Sequence, residues 1–424
     1  IQYAGCSREE KIGRIREGLR EKGASWTFIS SLDDIAWTLN LRASDVPYNP
    51  VFVSYLFISQ DEAILFADRS RFEPELASRL SSAVTIMAYE EAWTALREKA
   101  AGKGYIAPDR TAATFLGISS SFLSGRDISM DLKARKNEAE MEGMRKAHLL
   151  DGVAYVRFLS SLDRNGQYTE MELSRMLERE REKLDGYIEP SFRPISAWKE
   201  HGAIVHYSAS EKSNAAVEGD GLLVLDTGSQ FLFGTTDITR TLLFGRPTEE
   251  ERRDYTLVLK GHLALARSRF IDGTRGVQLD VLAKQFLWNE GESFFHGTGH
   301  GVGCHLSVHE GPLRISSALI DVPLLPGMVV SDEPGVYKEG RHGIRIENLV
   351  TVIPDRSTEF GNFYRFETLT LVPYEKDLID IDLLTDEEIN QINCYHEVVR
   401  ERLSQYLEGE ALGYLERASS PIVR

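Results

Sequence analysis

A stretch rich in glycine and histidine, residues 294–312, most constrains what this chain can fold into. Four of the ten histidines of the sequence lie in it, at His296, His300, His305 and His309. Interleaved glycines let the backbone approach a ligand closely. Such a concentration of imidazoles is seldom accidental, so the stretch predicts a functional site. His305 is expected, like His342 and His396 elsewhere, to be a surface or loop histidine.

Pairs of carboxylates flank this stretch, each in hairpin-like surroundings. The acids and their predicted strands are Asp226 (222–226), Asp237 (237–243), Glu333 (328–333) and Glu347 (343–350). Residues opposite one another in an antiparallel hairpin point to one face, so the two acids of each pair can meet. Buried carboxylates this close repel unless a cation or a proton lies between them. One imidazole with four carboxylates is the ligand set of a two-metal hydrolase.

The chemistry of this donor set can be stated from the residues alone. Oxygen-rich ligation with one imidazole favours Mn²⁺, Co²⁺ or Zn²⁺ over metals that prefer thiolates. Two such ions sharing a water would lower its pKa and make a hydroxide nucleophile available near neutral pH. Glu333 is the candidate for relaying a proton to the leaving amine, and His206 and His309 are candidate donors to the developing oxyanion. Each acid taken singly could be a turn or surface acid, so the hypothesis depends on their joint occurrence.

Other classes of function are disfavoured. The GxSxG and HExxH motifs are absent, which weakens serine-hydrolase and single-zinc protease readings, and the glycine stretch lacks the spacings of phosphate-binding loops. Three cysteines are too few for a disulfide framework and fit a reducing, cytoplasmic compartment. A net charge of -16 disfavours nucleic acid and anionic membranes as partners, and no run approaches the roughly 18 apolar residues of a membrane helix.

Sequence patterns predict an α/β (α+β) chain with two domains. Residues 8–130 alternate helical and extended patterns, which favours a small α/β domain with a mixed sheet. The domains are predicted at 1–133 and 134–424, the second ending in a helical extension. Helices of the second domain are predicted from capping signals or apolar spacing near Asn137, Thr169, Thr248, Gly276 and Thr385.

Five motifs together resemble the metal-site motifs of the pita-bread metallopeptidases. They are residues 225–228, 236–241, 296–301, 332–335 and 343–348. Within that family, the spacing from His300 to His309, the 309–312 ending and the 40–52 stretch resemble the long-form Xaa-Pro aminopeptidases (aminopeptidase P) more than the prolidases. The resemblance extends over nearly the whole chain.

The resemblance implies a fold, an activity and an assembly. It implies a creatinase-like α/β domain followed by a two-fold pseudosymmetric pita-bread catalytic domain. The activity would be removal of an N-terminal residue when proline follows, at a dinuclear site usually loaded with Mn²⁺, with peptides as substrates and a homodimer formed through the catalytic domain. The long form usually carries a further creatinase-like domain upstream, which this chain is expected to lack. Because the first residue is Ile1 rather than Met, we expect a fragment or a processed form.

Residue roles also follow from the resemblance. The expected metal ligands are Asp226, Asp237, His300, Glu333 and Glu347, with Asp237 and Glu347 bridging. Glu333 also matches a proton shuttle, and Arg345 matches an arginine that orients site groups. His206, His296 and His309 match residues that hold substrate and intermediate. Ahead of His206 the family usually has small residues, whereas residues 196–201 are bulky and charged here, which would change the accepted substrate size if that loop lines the pocket.

Two alternatives remain open from the sequence. A prolidase would take Xaa-Pro dipeptides only and recognise a free carboxylate. A non-catalytic pita-bread module would bind peptides or protein partners, but such modules have lost metal ligands that this chain retains. Hydrolysis without metal, as in creatinase, is disfavoured for the same reason.

Overall fold

The computed structural model describes residues 2–118 and 122–424, and the chain divides into two compact units. The units are Ile1–Glu140 and Met141–Arg424. Contacts within the first unit reach its last residue, because Trp37 Nε1 donates a hydrogen bond of 3.0 Å to the Glu140 carboxylate. The domain boundary predicted between residues 133 and 134 stays a prediction. Helices and sheets occur in both units, which confirms the predicted fold class.

The first unit is built on a mixed sheet. Its helices are α1 (Arg8–Glu21), α2 (Leu32–Leu39), α3 (Pro74–Leu80), α4 (Ala92–Lys99), α5 (Ala113–Leu116) and α6 (Ile128–Ala134). Its strands are β1 (Trp26–Ile29), β2 (Ser54–Ser59), β3 (Ala63–Ala67), β4 (Thr85–Ala88), β5 (Gly104–Ile106) and β6 (Phe122–Ser124). Their order is β4-β3-β2-β1-β5-β6, with β2 antiparallel to both neighbours and the other pairs parallel. The predicted mixed sheet is therefore confirmed.

The second unit carries more strands than helices. Its helices are α7 (Glu138–Ser161, which begins before the unit), α8 (Glu170–Arg181), α9 (Glu249–Ala266), α10 (Gly276–Asn289), α11 (Asp386–Leu403) and α12 (Gly409–Ala418). Its strands are β7 (Tyr168–Thr169), β8 (Tyr187–Pro190), β9 (Ile195–Trp198), β10 (Ala216–Val217), β11 (Gly221–Thr227), β12 (Ser229–Phe231), β13 (Gly234–Thr235), β14 (Ile238–Phe244), β15 (Arg269–Ile271), β16 (Gly299–Gly301), β17 (Glu310–Ile315), β18 (Val329–Asp332), β19 (Gly335–Lys338), β20 (His342–Arg345), β21 (Asn348–Thr358) and β22 (Gly361–Thr368).

Capping boxes begin three of these helices where the sequence predicted them. In α8, α9 and α11 a threonine hydroxyl accepts a hydrogen bond from the backbone N–H three residues on, and the glutamate at that position bonds back to the threonine N–H. This reciprocal pairing satisfies backbone donors that have no partner inside the helix. The predicted helix from Gly276 is α10.

Two strand pairs of the second unit share one layout. β11 pairs with β14 in a sheet of order β14-β11-β9, and β18 pairs with β21 in a sheet of order β15-β22-β21-β18-β16-β17. Each antiparallel pair encloses a small hairpin, β12–β13 in the first case and β19–β20 in the second. The predicted strand 343–350 is therefore two strands, which part at Ile346 and Glu347. Register also corrects the first pair, because Thr239 rather than Asp237 lies opposite Asp226.

A hydrophobic core lies where helices cover the sheet of β9, β11 and β14. Tyr155 and Phe158 of α7 and Leu173 and Leu177 of α8 are fully buried against strand residues such as Leu223. Apolar residues at alternate positions of the strands and at helical spacing make this packing possible. Among residues 2–118 and 122–424, no helix is long and apolar enough to cross a membrane.

The expectation that His342 and His396 are surface or loop histidines is wrong. His342 lies in β20, where its Nε2 is 2.9 Å from a carboxylate oxygen of Asp254. His396 lies fully buried in α11, and its Nε2 accepts a hydrogen bond of 3.1 Å from the backbone N–H of Tyr374. Both rings meet partners distant in sequence, which local pattern cannot reveal. His305 is in a loop, as expected, although it is buried.

His396 should make the protein sensitive to acid. Burial, and secondarily the positive charges of Lys376 and Arg240, lower the pKa of His396 to about 3. Below pH 6.5, the approximate pKa of histidine in the unfolded chain, the unfolded chain binds a proton that the folded chain does not bind. The free energy of unfolding therefore falls by up to ~1.4 kcal/mol per pH unit. Urea unfolding of wild type and His396→Gln from pH 8 to 4 measures this. We expect the stability advantage of wild type to shrink below pH 6.5, and an advantage independent of pH would contradict it.

Candidate metal centre

All five predicted metal ligands converge at one place in the second unit. Their donor atoms form overlapping groups in which every atom lies within 4.8 Å of the others. The groups are Asp226, Asp237 and Glu347; His300, Glu333 and Glu347; and Asp237, His300 and His309. The structure therefore brings together the predicted residues from both sides of the histidine stretch.

The five donor residues lie in strands or immediately next to strand ends. Asp226 is in β11, His300 is in β16, and Asp237, Glu333 and Glu347 occupy the first positions outside β14, β18 and β21. From these positions the donor atoms of Asp237, Glu333 and Glu347 reach those of Asp226 and His300.

Thr239 joins the two strand pairs at this point. The Glu347 N–H donates to the Thr239 carbonyl (3.1 Å), and the Thr239 hydroxyl donates to the Glu347 carboxylate (2.8 Å). Thr239 lies two residues after Asp237 and therefore on the same face of the strand. That spacing is the signal by which the sequence could have identified it.

The buried carboxylates lack the partners that their charges require. Burial raises the pKa of Asp237 and of Glu347 well above the usual range, and the negative charges of neighbouring acids raise both further. Burial also raises the pKa of Glu333. Within the described part of the chain, Asp226 Oδ1 and Glu347 Oε1 are buried without a hydrogen-bond partner. Because leaving such atoms unpaired is costly, the arrangement calls for cations.

His300 is oriented as a ligand. Its Nδ1 lies 3.0 Å from the Gly301 carbonyl, which can only accept, so Nδ1 carries the proton and Nε2 carries the lone pair. That Nε2 lies 3.5 Å from an oxygen of Asp237 and 3.5 Å from an oxygen of Glu333. A lone pair directed at carboxylate oxygens is repulsive unless a cation or a proton lies between them. The donor set therefore fits two divalent metal ions.

Ser331 connects His300 to Glu333. Its hydroxyl accepts a hydrogen bond of 2.9 Å from the His300 N–H and donates one of 3.1 Å to the Glu333 carboxylate. Ser331 lies two residues before Glu333, the same-face spacing by which it could have been predicted.

A chain of hydrogen bonds connects Asp226 to His296 through Arg345 and Tyr337. Arg345 donates to Asp226 (2.6 Å) and to the Tyr337 hydroxyl (2.9 Å). The Tyr337 hydroxyl lies 2.8 Å from His296 Nε2, and His296 Nδ1 lies 2.9 Å from the Gly297 carbonyl. Since Gly297 can only accept, the tyrosine donates to His296. Sequence analysis missed Tyr337, which is separated from His296 by forty-one positions.

The predicted histidines that do not belong to the five ligands are His206, His296 and His309, of which His309 joins a donor group with Asp237 and His300. His206 and His309 are exposed and His296 is half-buried. The rings of His300 and His309 are 4.3 Å apart between centroids. Burial lowers the pKa of His296 to about 4, with smaller contributions from the charges of Arg345 and His206. Burial likewise lowers the pKa of His309 to about 4. The rings of His296 and His309 are therefore neutral near pH 7, and a neutral imidazole can both donate and accept.

Family models match almost the whole chain. Residues 142–354 match metallopeptidase family M24, residues 1–140 match the creatinase/prolidase N-terminal domain, and residues 362–422 match the C-terminal region of the M24 peptidases. The creatinase-like and pita-bread parts of the predicted fold are thereby confirmed.

Named relatives agree with these models. Proteins called probable Xaa-Pro aminopeptidase P from Neurospora crassa and Sordaria macrospora are each 40% identical over 99% of this chain, which spans 65% and 73% of their lengths. A solved X-prolyl aminopeptidase from Caenorhabditis elegans, described as cytosolic with a di-nuclear active site, matches 99% of this chain and 72% of its own with a TM-score of 0.95 and 36% identity. A Bacillus anthracis Xaa-Pro dipeptidase matches 87% of this chain and 99% of its own, with a TM-score of 0.71 and 26% identity. The chain belongs to metallopeptidase family M24.

Proposed function

We propose that this chain is a dinuclear-metal aminopeptidase that hydrolyses the bond between an N-terminal residue and a following proline. The observation that carries the proposal is the convergence of Asp226, Asp237, His300, Glu333 and Glu347, among whose carboxylates two buried oxygens have no hydrogen-bond partner in the described part of the chain. Relatives named Xaa-Pro aminopeptidase P at 40% identity support the choice of substrate.

The five donors would hold two divalent ions, with Asp237 and Glu347 shared between them. Glu347 belongs both to the group with Asp226 and Asp237 and to the group with His300 and Glu333, which supports its sharing. The sharing of Asp237 is proposed from the family resemblance. Oxygen-rich ligation with one imidazole favours Mn²⁺, with Co²⁺ or Zn²⁺ as alternatives. When bound, the ions supply a water-derived nucleophile near neutral pH and polarise the scissile carbonyl.

The chain's own residues supply the remaining steps. Glu333 is only half-buried, so its carboxylate can receive a proton and pass it to the departing proline nitrogen. His309 lies in a donor group with Asp237 and His300, and His206 is exposed. Both would donate hydrogen bonds to the oxyanion that develops on the scissile carbonyl. Arg345 keeps Asp226 and Tyr337 in place, and through Tyr337 it orients His296 for substrate.

Prolidase activity is the second candidate, because the Bacillus anthracis dipeptidase shares the fold at a TM-score of 0.71. The aminopeptidase is favoured by the TM-score of 0.95 with the C. elegans enzyme. The cytosolic description of that enzyme supports a cytoplasmic location here. The homodimer remains a proposal from family resemblance.

Metal content and substrate length test the proposal together. Protein purified with Mn²⁺ should contain two metal ions per chain and should release arginine from Arg-Pro-Pro faster than from Arg-Pro. Removal of the ions by a chelator should abolish release, and Mn²⁺ should restore it. Release from the dipeptide alone would favour a prolidase. Protein that binds no metal and releases nothing would contradict both enzymatic functions.

A further inference from the structure

Glu170 is a buried carboxylate whose hydrogen-bond donors all come from one segment. The side chain is fully inaccessible to solvent, yet the site chemistry described above does not use it. Its hydrogen-bond partners are the Trp198 N–H (2.7 Å), His201 Nδ1 (2.8 Å), the Ala215 N–H (2.9 Å) and the Tyr207 hydroxyl (2.8 Å), whose single proton also faces the Ser213 carbonyl at 2.8 Å. An ionised carboxylate can accept four such bonds, so its charge is fully accommodated.

The segment that Glu170 holds, residues 198–215, carries His206. A short 3-10 helix, Lys199–Ala203, leads into the turn in which His206 is exposed. Two donors to Glu170, His201 and Tyr207, lie on either side of that turn, and their rings stack at 4.4 Å between centroids. Residues hydrogen-bonded to Glu170 therefore lie on both sides of His206 along the chain.

The backbone of this segment is strained where it begins. Lys199 has φ of 50°, a left-handed conformation that costs a residue with a side chain of order 1 kcal/mol or more. Such a conformation persists only when surrounding contacts impose it. The Trp198 N–H bonded to Glu170 lies immediately before this residue, so the carboxylate acts on the strained point directly.

A second contact fixes the opposite side of the segment. A Cβ atom at Gly343 of β20 would lie 1.7 Å from the Gly202 carbonyl oxygen, so the two backbones touch. β20 also carries Arg345. The 3-10 helix is thus held between Glu170 and the strand that supplies a site arginine.

The bulky residues before His206 belong to this anchor. Trp198 is buried in the core, with its ring 5.6 Å from that of Phe244, and His201 is bonded to Glu170. The buried Trp198 side chain is therefore not available to line a substrate pocket. The change in accepted substrate size that the sequence associated with this loop does not follow from Trp198.

We propose that Glu170 is a positioning residue that acts through His206, because its buried carboxylate holds the 198–215 segment and so fixes the turn from which this exposed histidine is presented to substrate. The inference rests on the proposed function for its kinetic consequence. Its location at the first position of α8 suits a negative charge, since the helix N-terminus is electropositive.

A double-mutant cycle tests the route through His206. Glu170→Gln replaces one acceptor oxygen by an amide that opposes the donors, and should lower kcat/KM for Arg-Pro-Pro by roughly 10- to 100-fold, with metal content unchanged. In a His206→Ala background the same change should cost less than about 2-fold, because the residue being positioned is already absent. Equal losses in both backgrounds, or no loss in either, would overturn the proposal.

Glu172→Gln is the matched control. Glu172 lies in the same turn and is exposed, and glutamine preserves its capping interaction with Thr169 while removing the same unit of charge. It should leave kcat/KM unchanged. Should Glu170→Gln fail to fold, Tyr207→Phe removes only the hydroxyl that contacts Glu170 and the Ser213 carbonyl, and it retains the ring. We then expect a few-fold loss of kcat/KM when His206 is present and no loss in the His206→Ala background.

Hydrogen exchange separates this proposal from the proposed function. The amides of Trp198 and Ala215 should exchange faster in Glu170→Gln than in wild type or Glu172→Gln, whether or not the protein hydrolyses peptides. Unchanged exchange at both amides would overturn the anchor itself. If the wild-type protein hydrolyses no Xaa-Pro peptide but exchange is still faster in Glu170→Gln than in wild type, the proposed function is contradicted and the anchor is supported.

Discussion

Asp237→Asn is expected to remove metal binding and to lower kcat/KM by on the order of 1000-fold or more, equivalent to about 4 kcal/mol. Asp237 is one of the five converging donors and is proposed to be shared by the two ions, so its loss weakens both proposed ion sites at once. Asparagine has nearly the same shape but lacks the charge that offsets a divalent ion. Elemental analysis and release of arginine from Arg-Pro-Pro measure the two effects.

Stability of the metal-free protein distinguishes this outcome from misfolding. In the absence of cations, burial and the charges of Asp226 and Glu333 raise the pKa of Asp237, so its ionised form opposes folding increasingly as pH rises above the unfolded value of about 4. Metal-free Asp237→Asn should therefore unfold at the same temperature as metal-free wild type, or higher, near pH 7. Asp185→Asn, at an exposed acid of the same unit, should retain metal and activity. Full turnover in Asp237→Asn would exclude the assigned site.

Arg240→Met is expected to destabilise the second unit by about 3–5 kcal/mol. Arg240 is 1% exposed, and its five N–H groups lie within hydrogen-bond distance of six oxygens. These are the carbonyls of Thr239, Glu347, Val372 and Pro373, Asn348 Oδ1 and the Tyr395 hydroxyl. Methionine fills similar space but donates nothing, so buried acceptors are left unpaired.

Urea unfolding measures this loss, with Arg246→Met as the control. Arg246 is exposed two residues beyond Phe244, the last residue of β14, and its replacement should change stability by no more than about 0.5 kcal/mol. Because Arg240 contacts the Glu347 backbone, we also expect weaker metal retention in Arg240→Met. A destabilisation below about 1 kcal/mol would show that water or rearranged donors satisfy these oxygens.

Local features of the sequence predicted the beginnings of the helices and the identity of the converging donors. A Thr residue followed three positions later by Glu, as at Thr169 and Thr385, specifies a capping box because both partners lie within one turn. The acids Asp226, Asp237, Glu333 and Glu347 could be paired because strands bounded by glycine and proline return antiparallel. Their roles as ligands stay predictions until metal binding is measured.

Tertiary structure alone decided what depends on contacts between distant segments. Strand register, which places Thr239 opposite Asp226, follows from packing of whole sheets, and no local pattern encodes it. Burial of His396 and the hydrogen bond from Tyr337 to His296 likewise join residues far apart in the chain. Glu170 reads in the sequence as one acid in a helical first turn, and only folding surrounds it with four donors. The sequence by itself therefore determined which groups could do chemistry, whereas the fold determined their orientation, because orientation is a property of packing between segments.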